Sequence, residues 1–175
     1  MNLLKSLDRH ILGIIEYFTS LDDEITRGKA AKGLKLSKAT AVKYFDLLVD
    51  NDVLVERKIG NLKLVKLNRN SSMVKEIKKL ILLSYLYPVQ IGGAEVYLFG
   101  SSARGDYNSS SDIDILVIGK LRREDLVEKT EKLEKKTKRK INWQIFTPQE
   151  WSVMAGKDKA FYERVEKDKV KLNSD

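Results

Sequence analysis

The sequence predicts an α+β protein in two parts: helices closed by a hairpin over residues 1–70, then a mixed sheet flanked by helices over residues 71–175. Three observations predict it. Apolar residues recur at helical spacing as far as Asp50, after which Val53–Ile59 and Leu62–Leu67 alternate in strand fashion around Gly60-Asn61. A second strand-rich run, VYLFGSSARGDYNSSSDIDILVI from Val96 to Ile118, sets an apolar stretch beside two alternating acids. The 175 residues, 42% hydrophobic and 33% charged, suit a folded chain of one medium or two small domains.

Composition narrows the chemistry. Zero cysteines exclude disulfides, thiolate nucleophiles and cysteine-ligated zinc. A single histidine, His10, leaves little for imidazole catalysis and reads as a helix-surface residue. No apolar run approaches the ~18–20 residues a membrane span needs. The start, MNLLKSLDRH, lacks the long apolar core of a signal peptide, so the expected localisation is cytoplasmic, with no membrane partner. A net charge of +8 favours polyanionic partners.

In chain order, Leu4, Leu7, Ile11, Ile14, Ile15 and Phe18 fall on one face of an amphipathic helix over Leu3–Phe18. A short helix over Thr26–Leu34 follows. Ser37 is placed to cap a third helix, Lys38–Asp50, that buries Ala41, Phe45 and Leu48. With the hairpin behind it, LSKATAVKYFDLLVDNDVLVERKIGNLKLVKL is similar to a winged helix-turn-helix from recognition helix through wing. That resemblance implies a helix in the major groove of double-stranded DNA and a wing on its phosphates. Residues 24–70 carry 11 Lys/Arg against 5 Asp/Glu. The DNA candidates are Lys35, Lys38 and Lys43 around the helix, and Arg57, Lys58 and Lys63 on the hairpin. A protein-interaction or dimerisation module with a solvated basic face is the alternative.

Ser71-Ser72 caps a helix over Met73–Tyr87, with Val74, Ile77, Ile81 and Tyr85 as its stripe, Leu80 alongside and Pro88 as its stop. Beyond the acids, Arg122–Lys140 predicts a charged helix with Leu126, Leu133 and Val127 inward. Ile141–Phe146 is a strand with Trp143 on its core face. Thr147, Pro148 and Glu150 spell a capping box for the helix that follows. A helix over Lys159–Glu166 and a strand over Val170–Leu172 finish the chain.

Asp112 and Asp114 alternate with Ile113 and Ile115, so both carboxylates leave one face of their strand. Two adjacent acids repel unless a cation joins them, and Mg²⁺ takes one or two carboxylates together with substrate phosphates. The Gly100-Ser101 corner brings backbone close to a phosphate, and Arg104 adds a fork-shaped positive charge. Gly100-Ser101, Arg104-Gly105 and Ser111-Asp112-Ile113-Asp114 together resemble the signature of the DNA polymerase beta-type nucleotidyltransferase superfamily, in its small prokaryotic branch.

The resemblance implies a polymerase beta-like nucleotidyltransferase domain that transfers a nucleoside monophosphate from an NTP to an acceptor. By the same resemblance Asp112 and Asp114 are catalytic and hold Mg²⁺ or Mn²⁺. Gly100 and Ser101 contact the triphosphate, and Arg104 and Ser111 support the loop or the phosphates. The family's third carboxylate falls on INWQIF, at Asn142 or Gln144, and both are neutral amides. Two functions therefore stay open: a Mg²⁺-dependent transferase, or a DNA-binding regulator whose second domain is catalytically weak and senses nucleotide or mediates assembly. A homodimer or a protein partner fits either.

Overall fold

The computed structural model describes residues 8–172, apart from 88 and 90. Two compact units divide between Lys78 and Lys79. The predicted helix positions Leu4 and Leu7, and the predicted stop at Pro88, lie outside the described residues.

In the first unit, α1 (Arg9–Thr19) begins where Asp8 accepts hydrogen bonds from the His10 and Ile11 amides at 2.8 and 3.0 Å. That satisfies two of the donors a helix start leaves without partners. The Tyr44 hydroxyl donates to the same carboxylate. The α1 face carrying Ile11, Ile14, Ile15 and Phe18 is buried, and Phe18 meets Phe45 edge-on, 6.2 Å between ring centres. Thr26 caps α2 (Arg27–Gly33), and Ser37 caps α3 (Lys38–Asp50) through the Thr40 amide at 3.1 Å.

The hairpin pairs β2 (Leu54–Ile59) with β3 (Leu62–Leu67) in the register Ile59↔Leu62. Gly60 takes φ +56° at the first of the two loop positions, where a tight hairpin turn places glycine. A two-residue strand, β1 (Ile25–Thr26), adds antiparallel to β3, giving the order β1-β3-β2. Sequence alternation cannot reveal a strand that short.

The helix α4 (Ser72–Leu86) carries the division between the units. Its buried residues include Val74, Ile77, Leu82 and Leu86, whereas Leu80 is 56% exposed. One residue is a 100° step around a helix, so Leu82 and Leu86 turn inward in place of Ile81 and Tyr85.

The second unit is a four-stranded mixed sheet in the order β6-β5-β4-β7. Here β4 is Glu95–Phe99, β5 Ile113–Ile118, β6 Ile141–Phe146 and β7 Val170–Lys171. Strand β4 runs antiparallel to β5 and β7, while β5 and β6 are parallel. A parallel pair needs a crossover, and α6 (Val127–Thr137) supplies it.

The predicted helix from Arg122 to Lys140 is shorter than its charge pattern suggests. A 3₁₀ turn over Arg123–Leu126 precedes α6, and Lys138 at φ +57° ends it. Leu126 and Leu133 face the core, but Val127 is 55% exposed, because the switch from 3₁₀ to α geometry falls at that residue. The Thr147 capping box opens α7 (Pro148–Ser152). Two further helices, α8 (Met154–Lys157) and α9 (Lys159–Asp168), lead into β7.

Both faces of this sheet are covered. One carries Leu98, Ile113, Ile115, Val117 and Trp143 against Leu82, Leu86, Leu126 and Leu133. Trp143 donates from Nε1 to Thr130 Oγ1 at 2.8 Å. The other carries Phe99, Leu116 and Ile118 against Trp151, Val165 and Phe161. A central strand covered on both sides is expected to be almost wholly apolar. In β5 every residue except Asp114 is buried and apolar.

Candidate functional site

The site lies at one end of this sheet, where β4 turns into α5 (Gly100–Arg104) beside the start of β5. Register brings Phe99 opposite Asp114, and Asp114 opposite Asn142 on β6. Gly100 turns the chain with φ +70°. A Cβ at that position would stand 2.9 Å from Asp114 Oδ2, closer than real Cβ contacts come. Conformation and space both require glycine there.

Asp114 is half-buried and Asp112, just before β5, is exposed. Asn142 donates from Nδ2 to Asp114 Oδ1 at 2.9 Å, and Gln144 Nε2 reaches Asn142 Oδ1 at 3.4 Å. Of the two amides named from sequence, Asn142 is therefore the one beside the acid. Neither Asp112 nor Asp114 is ion-paired with a lysine or arginine among the described residues. Among those residues no group of three or more His, Cys, Asp or Glu side chains could hold a metal. The two aspartates are the donors available to a divalent cation here, a set that suits one ion arriving with phosphates.

The remaining predicted residues lie around this pair. Ser111 shares hydrogen bonds with Asn108, its Oγ donating to Oδ1 at 2.8 Å and accepting from the Asn108 amide at 3.0 Å. Arg104 donates from Nε to Asp106 and from Nη1 to Asp168 of α9, both at 2.9 Å. Those bonds, Asp168 first, hold its guanidinium above its ordinary pKa. Arg104 thus joins α5 to α9, with Nε and Nη1 each donating to a carboxylate.

Sequence reasoning missed Arg139. It stands just before β6 and donates from Nε to the Ser111 carbonyl at 2.7 Å. Its Nη2 donates to the Asp112 carbonyl at 2.9 Å and to Ser102 Oγ at 3.0 Å. Its guanidinium carbon lies 4.2 Å from the centre of the Tyr107 ring. Burial pushes its pKa below the ordinary arginine value, while Tyr107, Asp112 and Asp114 act the other way. Lys138-Arg139-Lys140 reads as a solvated basic run. The available signal was position, since the two residues that lead into β6 lie beside the start of its parallel neighbour β5.

In the first unit, the outward face of α3 presents Lys38, Ala39, Val42 and Lys43, with Lys35 exposed in the turn before it. Lys58 is exposed on β2. Arg57 is bonded to Glu24 through Nε and Nη2, and Lys63 is 3.3 Å from Glu56. Those two hairpin cations are therefore engaged by acids, while Lys35, Lys38 and Lys58 are not ion-paired among the described residues. No helix among the described residues is long and apolar enough to cross a membrane.

Residues 82–171, just over half of the chain, match the family model described as Nucleotidyltransferase domain. No curated protein matches the chain.

Proposed function

Because this chain belongs to the nucleotidyltransferase domain family, we propose that it binds a nucleoside triphosphate at Asp112 and Asp114 and transfers the nucleoside monophosphate to an acceptor hydroxyl. The observation that carries this reading is the close approach of Gly100 to Asp114 Oδ2. It sets the glycine corner directly against a carboxylate that is not ion-paired with a lysine or arginine among the described residues. Asp112 and Asp114 hold Mg²⁺ or Mn²⁺, which when bound neutralises the triphosphate and favours departure of pyrophosphate. Gly100 and Ser101 present backbone and hydroxyl to the phosphates, while Arg104 and Ser111 brace the loop between them. The first unit acts as a winged helix-turn-helix on double-stranded DNA, with α3 in the groove and Lys35, Lys38, Lys43, Arg57, Lys58 and Lys63 on or near the phosphates.

A second reading is favoured by one observation. Asn142 caps Asp114 Oδ1 with a neutral donor where a second ion would require another negative ligand. On this reading the domain binds nucleotide without turnover and regulates the DNA-bound unit. Incubation with labelled NTPs, Mg²⁺ or Mn²⁺ and cell extract separates the two. Label transfer or pyrophosphate release that is lost in Asp114→Asn supports the transferase. Metal-dependent nucleotide binding without turnover selects the regulator, and no nucleotide binding at all overturns both. A Lys38/Lys43 double substitution that leaves duplex affinity and its salt slope unchanged would remove the DNA role.

A further inference from the structure

We infer that Arg139 is a positioning residue that sets the place of Asp112 relative to Asp114 and the Gly100 corner. This rests on the nucleotide-binding reading above. Asp112 precedes the first residue of β5 and its side chain is exposed, so sheet pairing alone does not fix it. Asp114 is held differently, by its register opposite Phe99 and Asn142 and by the Asn142 amide.

The Arg139 guanidinium supplies what Asp112 lacks. Its Nε and Nη2 grip two successive carbonyls, Ser111 and Asp112, at 2.7 and 2.9 Å. A planar fork can hold two such acceptors at fixed separation, whereas an ammonium group offers a point charge. The same Nη2 reaches Ser102 Oγ at 3.0 Å, and Ser102 is fully buried in α5, the helix that Gly100 opens. Tyr107, 95% buried (5% exposed), seats the guanidinium plane. One side chain from the β6 end therefore joins both halves of the site: the helix behind the glycine corner and the backbone that carries Asp112. Adjacent strands reinforce the junction, for the Ile113 amide donates to the Lys140 carbonyl at 2.8 Å.

Arg139 touches the carbonyls and not the carboxylate oxygens, so its effect passes through backbone placement. Outer groups that orient metal ligands typically change metal affinity about 10- to 100-fold when removed. The test is Mn²⁺ binding in the presence of ATP, followed by EPR on the full chain, for wild type, Arg139→Lys, Arg139→Gln and Ser102→Ala. Each protein is also checked by thermal unfolding, and measured well below its Tm.

The expected result is a loss of Mn²⁺ affinity of about tenfold or more in Arg139→Gln. Arg139→Lys should recover part of it, Ser102→Ala should lose less, and the bound-Mn²⁺ spectrum should broaden as Asp112 becomes mobile. A purely structural role would lower Tm and leave the affinity and spectrum of the folded fraction unchanged. Folded Arg139→Gln with wild-type affinity and spectrum overturns the inference. If that variant does not fold, Arg139→Lys and Ser102→Ala decide by the same two readouts, and wild-type values in both overturn it. Wild type that binds no Mn²⁺ with ATP instead brings down the nucleotide-binding reading itself.

Discussion

Two charged regions of the molecule differ in their partners: the cations of the first unit that meet acids, and the two acids at the sheet end of the second. On the hairpin side of the first unit, Arg27 is paired with Asp46 and Glu56, Lys63 with Glu56, and Arg57 with Glu24. At the sheet end of the second unit, Asp112 and Asp114 have no such partner among the described residues, although Arg139 lies close enough to bond the backbone on either side of Asp112's own amide. An exposed pair such as Arg57–Glu24 contributes little to stability, whereas Arg27 and Glu56 are both largely buried. On the proposed reading the two acids await a cation, and the only side-chain hydrogen bond to either carboxylate among the described residues is the one Asn142 of the next strand donates to Asp114.

The largest break in this contrast should come from Asp114→Asn. At an effective dielectric of about 20, unit charges ~4 Å apart interact by about 4 kcal/mol. Calorimetry of Mn²⁺ with ATP should therefore show at least about a hundredfold weaker binding. Restoring a carboxylate on β6 tests the same site from the other side. Asn142→Asp should raise the number of Mn²⁺ ions bound per nucleotide and speed any pyrophosphate release. In metal-free buffer it should lower the Tm, because two acids would then face each other across the strands.

Gly100→Ala is expected to cost roughly 1–2 kcal/mol from its left-handed backbone alone. The displaced Asp114 should weaken metal binding as well, read by denaturant titration beside calorimetry. In the first unit, Ser37→Ala removes the cap of α3 and should lower stability by about 1 kcal/mol. It should leave nucleotide binding at the wild-type value.

The smallest effect is a pH dependence at Asp8. Burial alone would raise its pKa, but hydrogen bonds from Tyr44 and from the Ile11 and His10 amides outweigh it and leave it below the usual carboxylate value. A depressed folded pKa means the contribution is present above the unfolded value near 4 and is lost as pH falls through the folded one. Denaturant midpoints should therefore fall in acid, and Tyr44→Phe should flatten that slope.

What the sequence disclosed follows the same division between local and spatial causes. The Ser37 cap, the Gly60-Asn61 turn and the Thr147-Pro148-Gln149-Glu150 box are written in contiguous residues, and each forms where its spacing places it. The strands β2, β3, β5 and β6 were legible from alternation or from apolar runs bounded by turns. The acid-bearing strand and the glycine corner before it were legible for the same reason, and the register opposite β6 narrowed two amides to Asn142.

The pieces that escaped depend on pairing across space. β1 exists because two residues find the edge of β3, and α5 forms within the glycine corner itself. Arg139 sits in a basic run whose neighbours are exposed lysines, and only the parallel crossover gives it carbonyls to hold. The helix predicted after Arg122 extends too far because Arg139 and Lys140 continue the charged pattern beyond Lys138, where the backbone reverses hand.

One consequence of the doubly covered strand concerns alignment. When oily residues fill both sides of β5, sliding it by one position exchanges one oily face for another and meets little resistance from burial. Asp114 breaks that indifference, for a strand slipped by one position would drive its charge into the apolar layer on the opposite face and away from Asn142. The anionic group proposed to meet the cation thus also serves as the notch that locks the sheet's threading.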